Sequence, residues 1–302
     1  MSYRRLEPRS LPFAADDLAF LRSALAGRYG IECELGRGAS AAVYSAVDQK
    51  HRRRVALKVL HAAVGSAVDH RRFLAEIEIA ARLQHPHILP LFDSGEAGEP
   101  RGSAGGGRLF YVMPLVDGGS LRDLLRRRVQ LPIEDALRIT RQVAAALDHA
   151  HAERVLHRDI KPENIMLSEA GDRLHAMVAD FGIACAFDEP GSGSLTETGI
   201  AIGTPAYMSP EQGSGERTLD ARSDVYSLAC VLYEMLAGVP PFTGATPQVI
   251  LSRQATDAVP SIRTVCPTMS VALEVALMRG LARWPVDRFP TMREFADALE
   301  SG

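Results

Sequence analysis

The octapeptide His157-Arg158-Asp159-Ile160-Lys161-Pro162-Glu163-Asn164, followed downstream by Asp180-Phe181-Gly182, concentrates more chemistry than any other part of this chain. Within one short loop stand a carboxylate that can receive a hydroxyl proton, a lysine that can face a transferring phosphoryl group, and an amide oxygen that can ligate a metal. Asp180 adds a hard oxygen ligand of the kind Mg²⁺ takes, two residues before a flexible glycine.

Upstream, Leu35-Gly36-Arg37-Gly38-Ala39-Ser40-Ala41-Ala42-Val43 carries two glycines that let backbone N–H groups approach a phosphate chain without side-chain obstruction. Such turns are also common in plain hairpins. Strand-like flanks on both sides disfavour a dinucleotide-binding fold, which needs a helix after the turn. One strand later, Val55-Ala56-Leu57-Lys58 puts a lysine on a half-buried strand. Its charge needs an anion there unless the side chain snorkels to water. On the following helix, Phe73, Glu76, Ile77 and Ala80 fall on one face by i, i+3, i+4 spacing, so Glu76 rather than Glu78 is the expected partner.

At roughly 150 residues per domain, a chain of 302 residues makes about two globular units, and 46% apolar residues suffice for a real core. Lys and Arg total 34 against 37 Asp and Glu, and a net charge of −3 exerts no broad pull on nucleic acid or anionic lipid. The longest apolar run, 228–233, falls far short of the ~20 residues a bilayer span needs. The start Met1-Ser2-Tyr3-Arg4-Arg5 leads into no signal-peptide core. A soluble, unsecreted, cytoplasmic protein is therefore expected. Cys33, Cys185, Cys230 and Cys266 lie far apart without metal-ligand spacing and read as reduced thiols, all but Cys185 as small buried hydrophobes. His149, His151 and His157 resemble a metal set, but residues two apart on a helix point in different directions.

Residues 1–28 read as an N-terminal extension, a short helix with the stripe Leu18, Leu21, Leu25, packed outside the main fold. Residues 29–59 read as an antiparallel meander, 69–84 as a helix stopped at His85-Pro86, and 88–92 as a strand. The glycine-rich 95–107 reads as an expanded loop and 109–113 as a strand, with helical patterns near 120–128, 134–153, 221–238, 247–254, 270–282 and 291–300. The expected fold class is α+β: a small antiparallel β-rich lobe with one main helix, then a larger α-helical lobe.

With these motifs in this order, residues 29–299 resemble the eukaryotic-like serine/threonine protein kinases, particularly their bacterial branch. The resemblance implies a bilobal kinase domain over 29–302, with an N-lobe of about 29–113, a hinge at about 114–117 and a C-lobe of about 118–300. It implies ATP and Mg²⁺, or Mn²⁺ in its place, as cofactors. Gly36 and Gly38 would cover the phosphates, and Lys58 would hold them while paired with Glu76. Asp159 would orient the substrate hydroxyl and accept its proton, Lys161 would steady the γ-phosphate, and Asn164 and Asp180 would hold the metal. Adenine would lie between Val43 and Ala56 on one side and Leu167 on the other, beside Met113 and the hinge residues Pro114 and Val116. Pro114 offers only its carbonyl, because proline lacks an N–H.

The segment 203–211 resembles the family's substrate-docking segment, Glu211 would pair with Arg288, and Asp224 would brace the catalytic loop. Lys161 and Thr204 resemble the serine/threonine-directed class. Thr196 and Thr198 resemble autophosphorylation sites, with Arg158 as the phosphate reader; two copies would then meet transiently to phosphorylate each other. Cys185 would lie near the nucleotide. Protein Ser/Thr side chains are the expected substrates, with neither nucleic acid nor a membrane segment involved. Two rival readings are a pseudokinase scaffold that binds nucleotide or partners without transfer, and a small-molecule kinase of related fold. The chain could be a complete kinase or a domain of a longer protein.

Overall fold

Alternating apolar residues between tight turns make residues 29–60 strand-forming, and three antiparallel strands arise there: β1 (Tyr29–Arg37), β2 (Ala41–Asp48) and β3 (Arg53–Leu60). With β4 (Asp93–Ala97) and β5 (Arg108–Pro114) they form one sheet of order β1-β2-β3-β5-β4. The computed structural model describes residues 14–38, 41–61, 77, 78, 80–98, 107–170, 173–181, 205–216 and 218–302. These fall into two units, one taking residues up to Ala81 with Pro90–Val116 and the other Arg82–Leu89 with Asp117–Gly302.

In the first unit, strand alternation sorts the side chains by face. Ala42, Tyr44, Ala46, Val55, Leu57, Val59, Phe110 and Val112 cluster with Leu21 and Leu25 of α1 (Ala14–Ala24). The expectation that this helix packs outside the main fold is corrected: Leu21 and Leu25 are 0% and 2% exposed, inside the core of this unit. A sheet must bury its apolar face against another element, and α1 is that element here.

Two further expectations change. Within the meander read over 29–59, β1 is not regular: register shifts between Ile31 and Cys33 and between Glu34 and Gly36 leave Leu35 49% exposed. The strand expected at 88–92 forms instead at Asp93–Ala97, running into the first residues of the stretch read as a loop. Gly95 fits there because a Cβ would come within 3.3 Å of the Phe110 ring on the paired strand. Of the helix expected at 69–84, the described positions 77, 78 and 80–82 are helical.

The second unit begins at 82–89. Ile88 bridges Val178, with Leu89 N–H donating to Val178 O at 2.8 Å and Val178 N–H to His87 O at 2.8 Å. Its helices are α2 (Leu121–Arg128), α3 (Ile133–Ala152), α4 (Pro210–Gly213), α5 (Ala221–Ala237), α6 (Pro247–Thr256), α7 (Val271–Gly280) and α8 (Met292–Glu300). The hairpin β6 (Ile165–Ala170) and β7 (Arg173–Val178) follows a 3₁₀ turn at Pro162–Asn164.

Side-chain caps start these helices where the sequence places them. Ser120 and Asp123 form a capping box on α2, and Asp220, Thr246, Ser270 and Thr291 accept the first N–H groups of α5 to α8. α5 is buried on all sides from Ser223 to Leu236, the mark of a central core helix. Gly280 lets α7 approach it, since a Cβ there would lie 3.0 Å from both Ala229 and Phe295. Among the described residues no helix is long and apolar enough to cross a membrane.

Candidate active site

Sheet register brings together the small-unit residues that the sequence singled out. Val43 lies opposite Lys58 and Lys58 opposite Tyr111, while Ala56 lies opposite Met113. Val43, Ala56, Lys58 and Met113 therefore share the sheet face turned away from α1. The Lys58 ammonium sits 5.6 Å from the centre of the Tyr111 ring, a neighbour that sequence reasoning did not anticipate. Glu76, its expected partner, and Ala39 and Ser40 lie outside the described residues. The Ala42 side chain packs on the opposite face, toward α1, because successive strand residues alternate. Pro114 closes β5 opposite Val55, and Val116 follows half-buried.

At the glycine-rich turn, Gly38 N–H donates to Ala41 O at 2.8 Å. Among the described residues a Cβ at Gly36 would meet nothing within 4 Å, so their packing does not require glycine there. The open space suits the close approach of a phosphate chain. Arg37 is not extended toward that space. Its guanidinium is held by Glu34 at 2.7 Å, Asp17 at 3.2 Å and the Tyr44 hydroxyl at 3.2 Å.

In the helical unit, Asp224 in the first turn of α5 organises the loop between α3 and β6. Its carboxylate accepts His157 N–H at 2.9 Å, Arg158 N–H at 2.8 Å and His151 Nε2 at 2.7 Å, and Asp224 is 1% exposed. Burial alone would raise its pKa. The bond and charge of His151, with the backbone N–H of His157, outweigh burial and hold it below the ordinary carboxylate value. Arg158 takes a positive φ of 65° at this anchor.

His157 then ties the loop to the strand that leads to Asp180. Its Nε2 bonds the Ala179 carbonyl at 2.9 Å, so that nitrogen carries the proton, and Nδ1 accepts Asp159 N–H at 3.3 Å. Ala179 N–H donates to Asn164 O at 2.9 Å. Ala179, next to Asp180, is thus held through both its N–H and its C=O, and Asp180 itself has φ 65°.

Within the loop, Lys161 Nζ lies 2.6 Å from Asp159 Oδ2. Asn164 Nδ2 donates to the same oxygen at 3.1 Å and to Asp159 O at 2.8 Å. Among the described residues no bond reaches Asp159 Oδ1. With the amide nitrogen of Asn164 engaged, its oxygen is the atom it can offer a hard cation, and the oxygens of Asn164 and Asp180 suit a Mg²⁺-type ion. Leu167, on β6, is 2% exposed, and its carbonyl lies so near Gly118 that a Cβ there would come within 2.1 Å.

Glu211 and Arg288 form a bidentate pair at 2.7 and 2.8 Å, with Ser223 Oγ donating to Glu211 at 2.7 Å. Burial pushes the Glu211 carboxyl up, but the Arg288 fork and the Ser223 hydroxyl overcome it and hold it low. Gln212 Nε2 donates to Arg158 O at 2.9 Å, joining this segment to the loop. Thr196, Thr198, Thr204 and Cys185 lie outside the described residues.

Sequence reasoning missed a second polar centre. Arg122 on α2 bonds Glu163 at 2.8 Å and Glu234 on α5 at 2.6 Å, while the Tyr207 hydroxyl bonds both Arg122 and Glu234. These four residues are scattered along the chain with no local motif, so no sequence signal pairs them. The histidines also part company: His149 stacks on His85 with ring centres 5.4 Å apart, whereas His151 and His157 serve Asp224 and Ala179.

Comparison with known proteins fits this geometry. Serine/threonine-protein kinase PknD of Mycobacterium tuberculosis is 40% identical over 274 residues, covering 90% of this chain and 39% of PknD. PknE of Mycobacterium bovis is 40% identical over 276 residues, covering 91% of this chain and 46% of PknE. The chain thus spans less than half the length of these curated relatives. The crystal structure of the Mycobacterium tuberculosis PknI kinase domain superimposes with a TM-score of 0.67 at 33% identity, covering 91% of this chain and 96% of that one. The family model described as the protein kinase domain matches residues 29–283, and with relatives of this identity the chain belongs to the protein kinase family, among the bacterial serine/threonine kinases.

Proposed function

We propose that this chain transfers the γ-phosphoryl group of ATP to serine and threonine hydroxyls of proteins. One observation carries the reading: Lys161 and Asn164 both bond Asp159 Oδ2, which turns Oδ1 into the oxygen that can receive a hydroxyl proton. Members of the family use ATP and a divalent metal. Here a Mg²⁺ ion, or Mn²⁺ in its place, held by Asn164 and Asp180, would neutralise charge on the phosphates.

The remaining work falls to the chain's own residues. The glycine-rich turn at Gly36 and Gly38 covers the phosphates, and Lys58, paired with Glu76, holds them. Val43, Ala56, Met113, Pro114, Val116 and Leu167 take the adenine. Asp159 aligns the substrate hydroxyl; the hydroxyl oxygen bonds the γ-phosphorus as the bond to the bridging oxygen breaks, ADP leaves, and the hydroxyl proton ends on Asp159. That proton turns acidic only late in transfer, so an ordinary carboxylate suffices. Lys161 stays close to the transferring group as a point charge.

Activation through Thr196 and Thr198, read by Arg158 after two copies meet, belongs to the same proposal. So does a cytoplasmic site of action, where ATP is supplied. Incubation with Mg²⁺ and labelled ATP, followed by phosphosite mapping, tests these points together. Wild type is expected to label Ser and Thr, and Asp159→Asn to lose the label. Equal labelling by both removes Asp159 from its role, and nucleotide binding by wild type without transfer supports the pseudokinase reading. Unchanged kinetics after Thr196→Ala/Thr198→Ala, in ATP-preincubated and phosphatase-treated protein alike, overturns the activation step.

A further inference from the structure

We propose that α1 sets the position of the glycine-rich turn through Asp17, which makes Asp17 a positioning residue for nucleotide binding. The inference rests on the kinase reading of that turn and extends it to a segment upstream of the sheet.

α1 is seated firmly. Leu21 and Leu25 are buried in the core of the β unit. Arg22 donates to Ile31 O at 3.1 Å and Glu32 O at 2.9 Å, the carbonyls beside the register shift in β1. A strand irregularity leaves backbone acceptors outside the ladder, and the helix supplies their donor. From this fixed base Asp17 reaches two arginines, Arg37 at 3.2 Å and Arg108 at 2.7 Å, and its carboxylate is only 25% exposed. The bond to Arg108, joined by Arg37, holds the Asp17 carboxyl below its ordinary value despite partial burial, so the contact stays charged throughout the neutral range.

Arg37 stands between Gly36 and Gly38. Glycine backbone is intrinsically free, and among the described residues a Cβ at Gly36 would touch nothing within 4 Å, so their side chains do not pack against the turn at that point. Backbone pairing of Gly36 with Val43 and of Arg37 with Ala42, the Gly38 N–H bond to Ala41 O and the His61 bond to Gly38 O at 3.0 Å hold the base of the turn; the Arg37 guanidinium adds a side-chain tether, for which Asp17 is the anchor from outside the sheet, beside Glu34 and Tyr44 on β1 and β2. Loss of Asp17 should let the turn wander and weaken nucleotide affinity without touching the transfer step.

The experiment measures mant-ATP binding with Mg²⁺, and KM for ATP against kcat, in wild type, Asp17→Asn, Asp17→Glu, Arg37→Ala and the Asp17→Asn/Arg37→Ala double variant. Asp17→Asn should weaken binding and raise KM by about two- to fivefold, the scale of a partly exposed ion pair, with kcat unchanged. Asp17→Glu should recover most of the loss, and Asp17→Asn should add nothing once Arg37 is alanine. Unchanged affinity in Asp17→Asn, or an equal further loss in the Arg37→Ala background, overturns the latch. Failure of wild type to bind mant-ATP overturns the reading of the turn and this inference with it, and is recognisable because it appears in the unaltered protein.

Discussion

Two ion pairs of the helical unit, Asp159–Lys161 and Glu211–Arg288, have nearly equal N–O distances of 2.6 and 2.7 Å and opposite surroundings. The Glu211 and Arg288 side chains are 4% and 0% exposed. Arg288 also donates from Nε to Ala282 O at 2.7 Å, from Nη1 to Arg222 O at 3.0 Å and from Nη2 to Arg283 O at 2.8 Å. A planar fork with its donors committed cannot change partners. The Asp159 and Lys161 side chains are 28% and 17% exposed, and a lysine point charge can turn toward an arriving phosphate. The difference teaches that contact distance says little about role. A fully satisfied, dry pair fixes geometry, and a half-wet pair leaves its groups able to take another partner.

The largest expected effect breaks the comparison from the wet side. Asp159→Asn should lower kcat by about 10²–10⁴-fold and leave the melting temperature within error, as read by steady-state kinetics beside calorimetry. A large loss of stability would mean that this pair is also a brace. From the dry side, Glu211→Gln leaves the Arg288 charge buried and half-paired, and should cost roughly 3–5 kcal/mol of stability in denaturant titration. Arg288→Lys should recover little, since an ammonium cannot reproduce the fork. Stability within 1 kcal/mol of wild type, at about the error of such titrations, would erase the distinction.

The Arg122 centre lies between the extremes, its side chain 18% exposed and that of Glu234 6%. Tyr207→Phe removes a buried hydroxyl bonded to both charges and should cost about 1.5–3 kcal/mol, less than Glu211→Gln in the same titration.

The smallest effect is a pH dependence outside both pairs. Burial, then the neighbouring His87 and His149, hold His85 below the ordinary histidine value of 6.5. Burial and His175 do the same for His87, opposed by the Ala176 carbonyl. The unfolded chain then takes up these protons first, so the contribution is complete above pH 6.5 and is lost as pH falls through the folded values. Glu211 and Asp224, also held low, add their loss only below ordinary carboxylate values of 4.5 and 3.8. Thermal melting should therefore weaken in two stages on acidification, and His87→Gln should flatten the first. A single step near pH 4 would show that the histidines contribute nothing.

Much of the helical unit was legible in the sequence. The patterns near 221–238 and 291–300 became α5 and α8 almost to the residue, because caps such as Asp220 and Thr291 and the helical period are local signals. The pairing of Glu211 with Arg288, and the bracing role of Asp224, followed from a resemblance rather than from spacing, and the structure places those atoms in contact. Strand register was less legible. The bulges of β1 and the start of β4 depend on partners far along the chain, such as Val43 opposite Gly36 and Phe110 opposite Gly95.

By itself the sequence determined which chemistry is present: the residues of the 157–164 loop, the glycine-rich turn and the strand lysine are set by identity and short-range order. Only the tertiary structure decided which of these groups are held and which stay available. It buried Arg288 and withdrew Ala42 to the α1 face. It also bound Arg37 to a helix read as an appendage, and joined Arg122 to Tyr207 and Glu234. The physical reason is that a side chain's pairing and burial depend on neighbours distant in sequence, and those neighbours are chosen when helices and strands pack.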